Sequence, residues 1–357
     1  MTAGLQKKSF YIPSLDGMRA VAFMTVFLSH AGLDHVIPGG FGVTVFFFIS
    51  GYLITSLLRQ EYESNQNIKL KYFYIRRVFR IWPAFYLVLF LGAGLTMLGL
   101  LEGEIKFFAF LSQCLHITNY YAIIFGDAGI TKGSGVYWSL GVEEHFYLIF
   151  PILYIYLLNK KIKPKEQMKV LLGLCVLVLI WRCVLVYGMG ASEVRTFYAS
   201  DTRIDSLLFG CALAVYGNPM FESGPFSDRV VKCYLLPLGL GLIAFSLLYR
   251  DAGFRETLRY SIQGIGLIPI FIAAIRFPNW GAFRALNWGW VRFVGALSYS
   301  LYLVHFTVIQ AITHYFSSAH KILLGAASLV ITFLLAYLIY RFVEIPFSRL
   351  RRVFSPP

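Results

Sequence analysis

Charge is scarce in this sequence, and acid is scarcer than base. Only 14% of the 357 residues are Asp, Glu, Lys or Arg, whereas 58% are hydrophobic and the mean hydropathy is +0.66. A soluble domain is usually about a quarter charged, so this composition excludes one. No stretch outside the apolar segments is long enough for a soluble domain of its own. The five cysteines (Cys114, Cys175, Cys183, Cys211 and Cys233) lack CxxC or metal-ligand spacing. Four lie within or at the ends of apolar runs, where they serve as small hydrophobes. Internal repeats are absent, and so is low complexity beyond the short Lys-rich loop at 160–165. No convincing A-x-A cleavage site follows the first apolar run, so Lys7-Lys8 and that run read as an uncleaved first span. A metal site is poorly supported: His30 and His35 are five apart and Glu144-His145 are adjacent, so neither pair makes a ligand face.

What remains is an all-α integral membrane protein. Ten spans are expected, at about 18–34, 41–58, 82–101, 140–158, 168–188, 203–217, 233–249, 260–276, 293–316 and 322–342. They make one membrane domain over residues 10–350, with short cytoplasmic tails at 1–9 and 351–357. The formal net charge of +14 does not point to nucleic acid, because it is distributed by loop. Most of the Lys and Arg fall on one set of alternating connections, including Lys160-Lys161-Ile162-Lys163-Pro164-Lys165 and the stretch with Arg59, Lys69, Lys71, Arg76, Arg77 and Arg80. That asymmetry orients the chain with both termini in the cytoplasm and attracts anionic lipid headgroups. The inner stretch 59–81 reads as an interfacial helix, with Pro83 starting the third span. The outer stretch 102–139 reads either as short helical pieces dipping into the outer leaflet or as an eleventh span.

Ionisable residues inside such spans are costly and need a reason. Arg19 and His30 lie eleven residues apart, just over three helical turns, so they leave the first span on one face, roughly 16 Å apart. His30 is either a general base or a buried histidine bonding a neighbouring helix. Arg19 either belongs to the site with it or snorkels to the inner surface. In the fourth span, Glu143 shares a face with Tyr147; Glu144 diverges by about 100°, so the two carboxylates are not expected to face the interior together. Glu143 is either an interfacial carboxylate or the partner that orients His30 and stabilises its charged form. Arg76 and Arg80 share a face, with Arg77 beside them, which suits either orientation of the chain or a phosphate-rich ligand. Ser50-Gly51 allows close approach of another helix or a slender ligand. Asp201 and Asp205 share a face at the start of the sixth span, with Arg203 expected to pair with either; the group is a capped helix end or a sugar-binding patch. His305 sits deep in the ninth span, where structural hydrogen bonding is the plainer reading. Buried His, Arg and Glu also suit a proton-coupled transporter, although such folds often carry repeats and paired broken helices.

Taken together, the motifs resemble the acyltransferase 3 family. Arg19-x10-His30, Phe46-Phe47-Phe48-Ile49-Ser50-Gly51 and Arg76-x3-Arg80 are similar to its elements. So are Trp138-Ser-Leu-x-x-Glu143 with Phe146-Tyr147 and Pro151, Arg203 before Gly210, Ser298-Tyr299 with His305, and Glu344-x-Pro346. The resemblance covers essentially the whole chain, in order. It implies ten spans and acyl-CoA, usually acetyl-CoA, as donor, with transfer to a hydroxyl of a glycan or other secondary product. Catalytic roles are then expected for His30, Glu143 and Arg19, and donor binding for Arg76, Arg77, Arg80, Ser50 and Gly51. Acceptor binding is expected of Arg203, Asp205, Asn119, Tyr147 and His305, with no metal. Many members carry an extra periplasmic hydrolase-like domain; this chain is expected to be a stand-alone form, which leaves room for a separate periplasmic partner.

Overall fold

A computed structural model describes residues 11–354; Lys7-Lys8 and the chain ends lie outside the described residues. All regular structure among those residues is helical. Helix α1 (Pro13–Leu28) opens with proline in its first turn, where the missing N–H costs nothing, and continues into a π-helical turn, Ser29–Leu33. Gly32 in that turn has φ +99°, a backbone that glycine adopts freely. Then come α2 (Gly39–Asn65), α3 (Leu70–Met97), two short helices α4 (Phe107–Cys114) and α5 (Thr118–Phe125), and α6 (Trp138–Asn159). Next are α7 (Pro164–Cys183), α8 (Glu193–Tyr198), α9 (Ser200–Val215), α10 (Asp228–Val230), α11 (Leu236–Leu248) and α12 (Ala252–Glu256). The chain finishes with α13 (Leu258–Arg276), α14 (Phe283–Leu286), α15 (Gly289–Tyr315), α16 (Lys321–Ile339) and α17 (Ile345–Phe354). Counted with their flanking turns, eight helices are long and apolar enough to cross a membrane. Helices α1 and α9, 16 residues each, are not among them. Both lie inside the bundle: α9 packs on α2, α7 and α13, and α1 on α2 and α15.

The interior is assembled through small residues. A Cβ on Gly51 would strike the backbone carbonyl of Leu207, and one on Gly210 that of Phe48, so α2 and α9 touch backbone to backbone. A Cβ on Gly295 would likewise strike the Asp16 carbonyl, which holds α15 against α1. Lipid tails are as apolar as leucine, so helices in a bilayer associate through this kind of close packing and not through a hydrophobic drive. Large apolar side chains remain exposed along α7, α11 and α16, among them Leu177, Leu240 and Leu334, as a lipid-facing surface requires.

One expectation is corrected. Residues 71–80 are not a separate interfacial helix: they are the first turns of the 28-residue α3, with Pro83 inside it. Proline removes one backbone donor without stopping this helix, and α17 packs along α3.

Candidate functional site

A cavity of ≈1340 Å³ opens among α1, α2, α3, α6, α15 and α17. Asn65, Asn67 and Lys69, between α2 and α3, are among its lining residues. Six arginines line it: Arg19 from α1, Arg76, Arg77 and Arg80 from α3, and Arg349 and Arg351 from α17. Arg76 is held by Glu61 at 2.6 Å, and Arg19 by Asp16 at 3.2 Å. The Arg77 guanidinium lies over the rings of Phe73 and Tyr147, and its Nε meets no protein acceptor. A cluster of forked guanidinium groups in a space this large suits a polyanionic ligand.

Deeper in the cavity, Glu143 accepts hydrogen bonds from Ser50 at 2.7 Å and from Tyr147 at 3.2 Å. Both carboxylate oxygens are therefore held by hydroxyl donors from two helices. Glu144 lines the cavity as well, which corrects the expectation that only one of the pair faces inward. The cavity reaches around α6 toward α3 and α15, so two directions 100° apart both meet it. Ser139 and Tyr302, whose hydroxyls are 2.7 Å apart, line the cavity too.

His30 is not among the lining residues; it sits in the π-helical turn that ends α1. Single π turns inside helices are frequent at functional sites because they re-aim one side chain. His30 Nδ1 is 2.9 Å from Nε2 of His305 on α15. His30 is half-buried and His305 fully buried. The Tyr302 ring, which lines the cavity, has its centroid 5.4 Å from that of His305. Tyr302 thus touches both the arginine-lined space and the histidine pair.

A family model described as an acyltransferase domain matches residues 12–341. The chain belongs to the acyltransferase 3 family. It is similar to the peptidoglycan O-acetyltransferase OatA of Listeria monocytogenes, 31% identical over 359 residues, covering 95% of this chain and 56% of that protein. The O-acetyltransferase OatA of Staphylococcus aureus is 29% identical over 349 residues, covering 95% of this chain and 57% of that one. The chain thus spans little more than half the length of these relatives. No solved structure gives a significant match.

Against that family background, the expected site residues divide. Arg19, Ser50, Arg76, Arg77, Arg80, Glu143 and Tyr147 line the one cavity, although they come from four helices. Gly51 packs against α9 and is absent from the cavity wall. Glu143 is bonded to Ser50 and Tyr147, and the partner of His30 is His305; the expected His30–Glu143 pairing gives way to these two. The rotation of α6 aims Glu143 at α2, and α15 brings the second histidine to the first. Arg203 pairs with neither aspartate. It is fully buried, donates to Thr44 and to the Phe197 carbonyl, and has Tyr260 4.1 Å from its guanidinium carbon. Asp205 accepts instead from Arg182 at 2.7 Å, and Asp201 from Arg195 at 2.5 Å. Asn119 is buried, with its amide donating to Ser200 and to the Tyr198 carbonyl. His145 also reaches Ser200, at 2.7 Å. Among the described residues, no group of three or more His, Cys, Asp or Glu stands ready to hold a metal.

Sequence reasoning missed Arg349 and Arg351 on α17, and the Ser139–Tyr302 pair. The signal for the first was available: three arginines, Arg349, Arg351 and Arg352, follow closely on the Glu344-x-Pro346 element.

Proposed function

We propose that this chain transfers an acetyl group from cytoplasmic acetyl-CoA to a hydroxyl of a cell-envelope glycan. The observation that carries this reading is the cavity itself: six arginines line it, and Tyr302, which also lines it, packs on His305 of the histidine pair. Its volume exceeds the roughly 300–1,000 Å³ of ordinary ligand sites, as a nucleotide thioester requires. Arg76 and Arg80, with Arg77, hold the donor's phosphates, and the thioester end lies toward Ser50, Glu143 and Tyr302. The relatives' names support an O-acetyl product, and that of the Listeria protein supports a glycan acceptor.

In this reading residues 10–350 form one domain of ten spans, counting α1 and α9. Both ends face the cytoplasm, the membrane is the bacterial inner membrane, and the arginine-rich mouth opens inward, where acyl-CoA is made. His30 is the general base, Arg19 belongs to the donor side of the same helix, and Glu143 organises Ser50 and Tyr147 along the donor's path. Arg203, Asp205 and Asn119 fix the helices around the acceptor's outer approach, and a periplasmic partner presents the acceptor.

The test is CoA thiol release from acetyl-CoA in membranes of the producing cell. His30→Ala is expected to lower turnover by about 10²–10⁴-fold, the usual contribution of a positioned general base. The Arg76→Ala/Arg80→Ala pair is expected to raise the donor's apparent KM. Full turnover by His30→Ala overturns the base; a membrane that neither binds acetyl-CoA nor releases thiol favours a transporter.

A further inference from the structure

We propose that His305 is the positioning residue that makes His30 a base, by fixing which of its two ring nitrogens is free. The proposal rests on the reading of His30 given above and adds to it the group that holds the ring. It follows from three atoms in a row.

The Nδ1 of His305 lies 2.7 Å from the carbonyl oxygen of Tyr302, one turn earlier on α15. A carbonyl oxygen only accepts, so the proton of neutral His305 sits on Nδ1 and its Nε2 carries the lone pair. That Nε2 is the atom 2.9 Å from His30 Nδ1. The proton between the rings therefore belongs to His30 Nδ1, and His30 Nε2 is left as the unprotonated nitrogen. The opposite tautomer of His305 would set two lone pairs against each other at 2.7 Å. The ring planes are 12° apart with centroids at 5.2 Å. That separation exceeds the N···N distance by about two ring radii, so the hydrogen bond lies near the plane of both rings, as a strong one should.

His305 is enclosed by aromatic side chains: Phe23 at 5.9 Å, Phe27 at 6.5 Å, Phe306 at 6.3 Å and Tyr302 at 5.4 Å between centroids. It has no room to swing away, and its lone pair stays aimed at His30. In a Ser-His-Asp triad a carboxylate holds the histidine in the useful tautomer and stabilises the charge it acquires. Here a neutral imidazole, itself anchored by a main-chain carbonyl, holds the ring. During transfer the acceptor O–H gives its proton to His30 Nε2 while the oxygen bonds to the thioester carbonyl carbon. The C–S bond then breaks, the sulfur leaves as CoA thiolate, and it takes the proton from His30. His305 keeps its own proton throughout and offers its lone pair to the transient imidazolium. The acyl group passes from sulfur to oxygen and no net proton is lost.

The experiment compares His305→Leu, His305→Gln, His305→Asn and His30→Ala in full-length protein, with thermal unfolding followed alongside turnover. Leucine removes the acceptor and is expected to lower kcat by roughly 10²-fold, while KM for acetyl-CoA stays within about twofold. Glutamine spans both bonds, its oxygen accepting from His30 and its amide donating to the Tyr302 carbonyl; it should restore at least tenfold of that loss. Asparagine is one methylene shorter, reaches only one partner, and should remain near the leucine level. If the leucine variant does not fold, the glutamine–asparagine contrast decides. Wild-type kcat in His305→Leu, or glutamine and asparagine equally impaired, overturns the proposal. Full turnover by His30→Ala sinks the base itself; a dead His30→Ala beside a fully active His305→Leu sinks only the role of His305.

Discussion

Two sets of arginines enter this bundle, and the protein treats them in opposite ways. Arg182 and Arg203 are fully buried and answered by protein. Arg182 donates to Asp205, to the Thr202 carbonyl and to Ser261. Arg203 has the faces of Phe47, Trp138, Phe197 and Tyr260 around it at 4.1–5.6 Å. Arg76, Arg77 and Arg80 occupy one flank of α3 and line a ≈1340 Å³ cavity. A guanidinium enclosed by protein fixes helices relative to one another, even where its Nε has no acceptor, as in Arg182 and Arg203. One that lines a large space can also meet a ligand held there. The comparison teaches that the cost of an intramembrane arginine says nothing by itself about function; what completes its coordination does.

The largest effect that would break this contrast lies at Arg182. Replacing it with methionine strands Asp205 as an unpaired charge in the core, a change that typically costs about 3–5 kcal/mol. Thermal unfolding in detergent should fall steeply, and the double variant Arg182→Met/Asp205→Leu should recover much of the loss, because the stranded charge is then gone. A single variant as stable as the wild type would show that this pair does not lock α7 to α9.

A smaller loss, in a different observable, is expected at the cavity. Arg76→Ala with Arg80→Ala should leave the unfolding temperature near that of the wild type, because partly exposed pairs such as Arg76–Glu61 contribute at most about 1 kcal/mol. Donor KM should rise about tenfold or more, equivalent to roughly 1.4 kcal/mol of lost binding. Destabilisation without a change in KM would put these residues in the same class as Arg182 and erase the distinction. Glu143→Gln sharpens it further: the amide oxygen still accepts one hydroxyl, so a loss of only several-fold in kcat is expected, with stability retained.

Much of this division was legible before any coordinates, and its gaps follow one rule. Helical spacing put Arg76 with Arg80, and Glu143 with Tyr147, on shared faces, and all four line one cavity. Spacing within a helix carries no information on which neighbour that face meets. His30 and His305 are 275 residues apart, and only the packing of α15 on α1 joins them. Asp205 is two residues from Arg203 in sequence, yet its partner is Arg182, because residues two apart on a helix point to different neighbours. Pro83 read as a helix start for the same reason: proline marks a boundary in isolated sequence, and a packed helix carries it through.

The smallest effect concerns α17, which lies beyond the residues matched by the family model. Arg349 and Arg351 line the same cavity as the α3 arginines but sit on a short terminal helix with exposed apolar residues such as Val353. If they add charge to the donor's binding without holding it by fixed bonds, Arg349→Ala with Arg351→Ala should raise donor KM only about two- to fivefold. That increment should shrink as salt rises from low to physiological strength, where charges more than about 8 Å apart are screened. The increment from Arg76 and Arg80, read above as holding the donor's phosphates directly, should persist. Equal salt sensitivity for both pairs would mean that α3 and α17 act as one diffuse basic surface; a salt-independent loss at Arg349 and Arg351 would make α17 a fixed wall of the donor site.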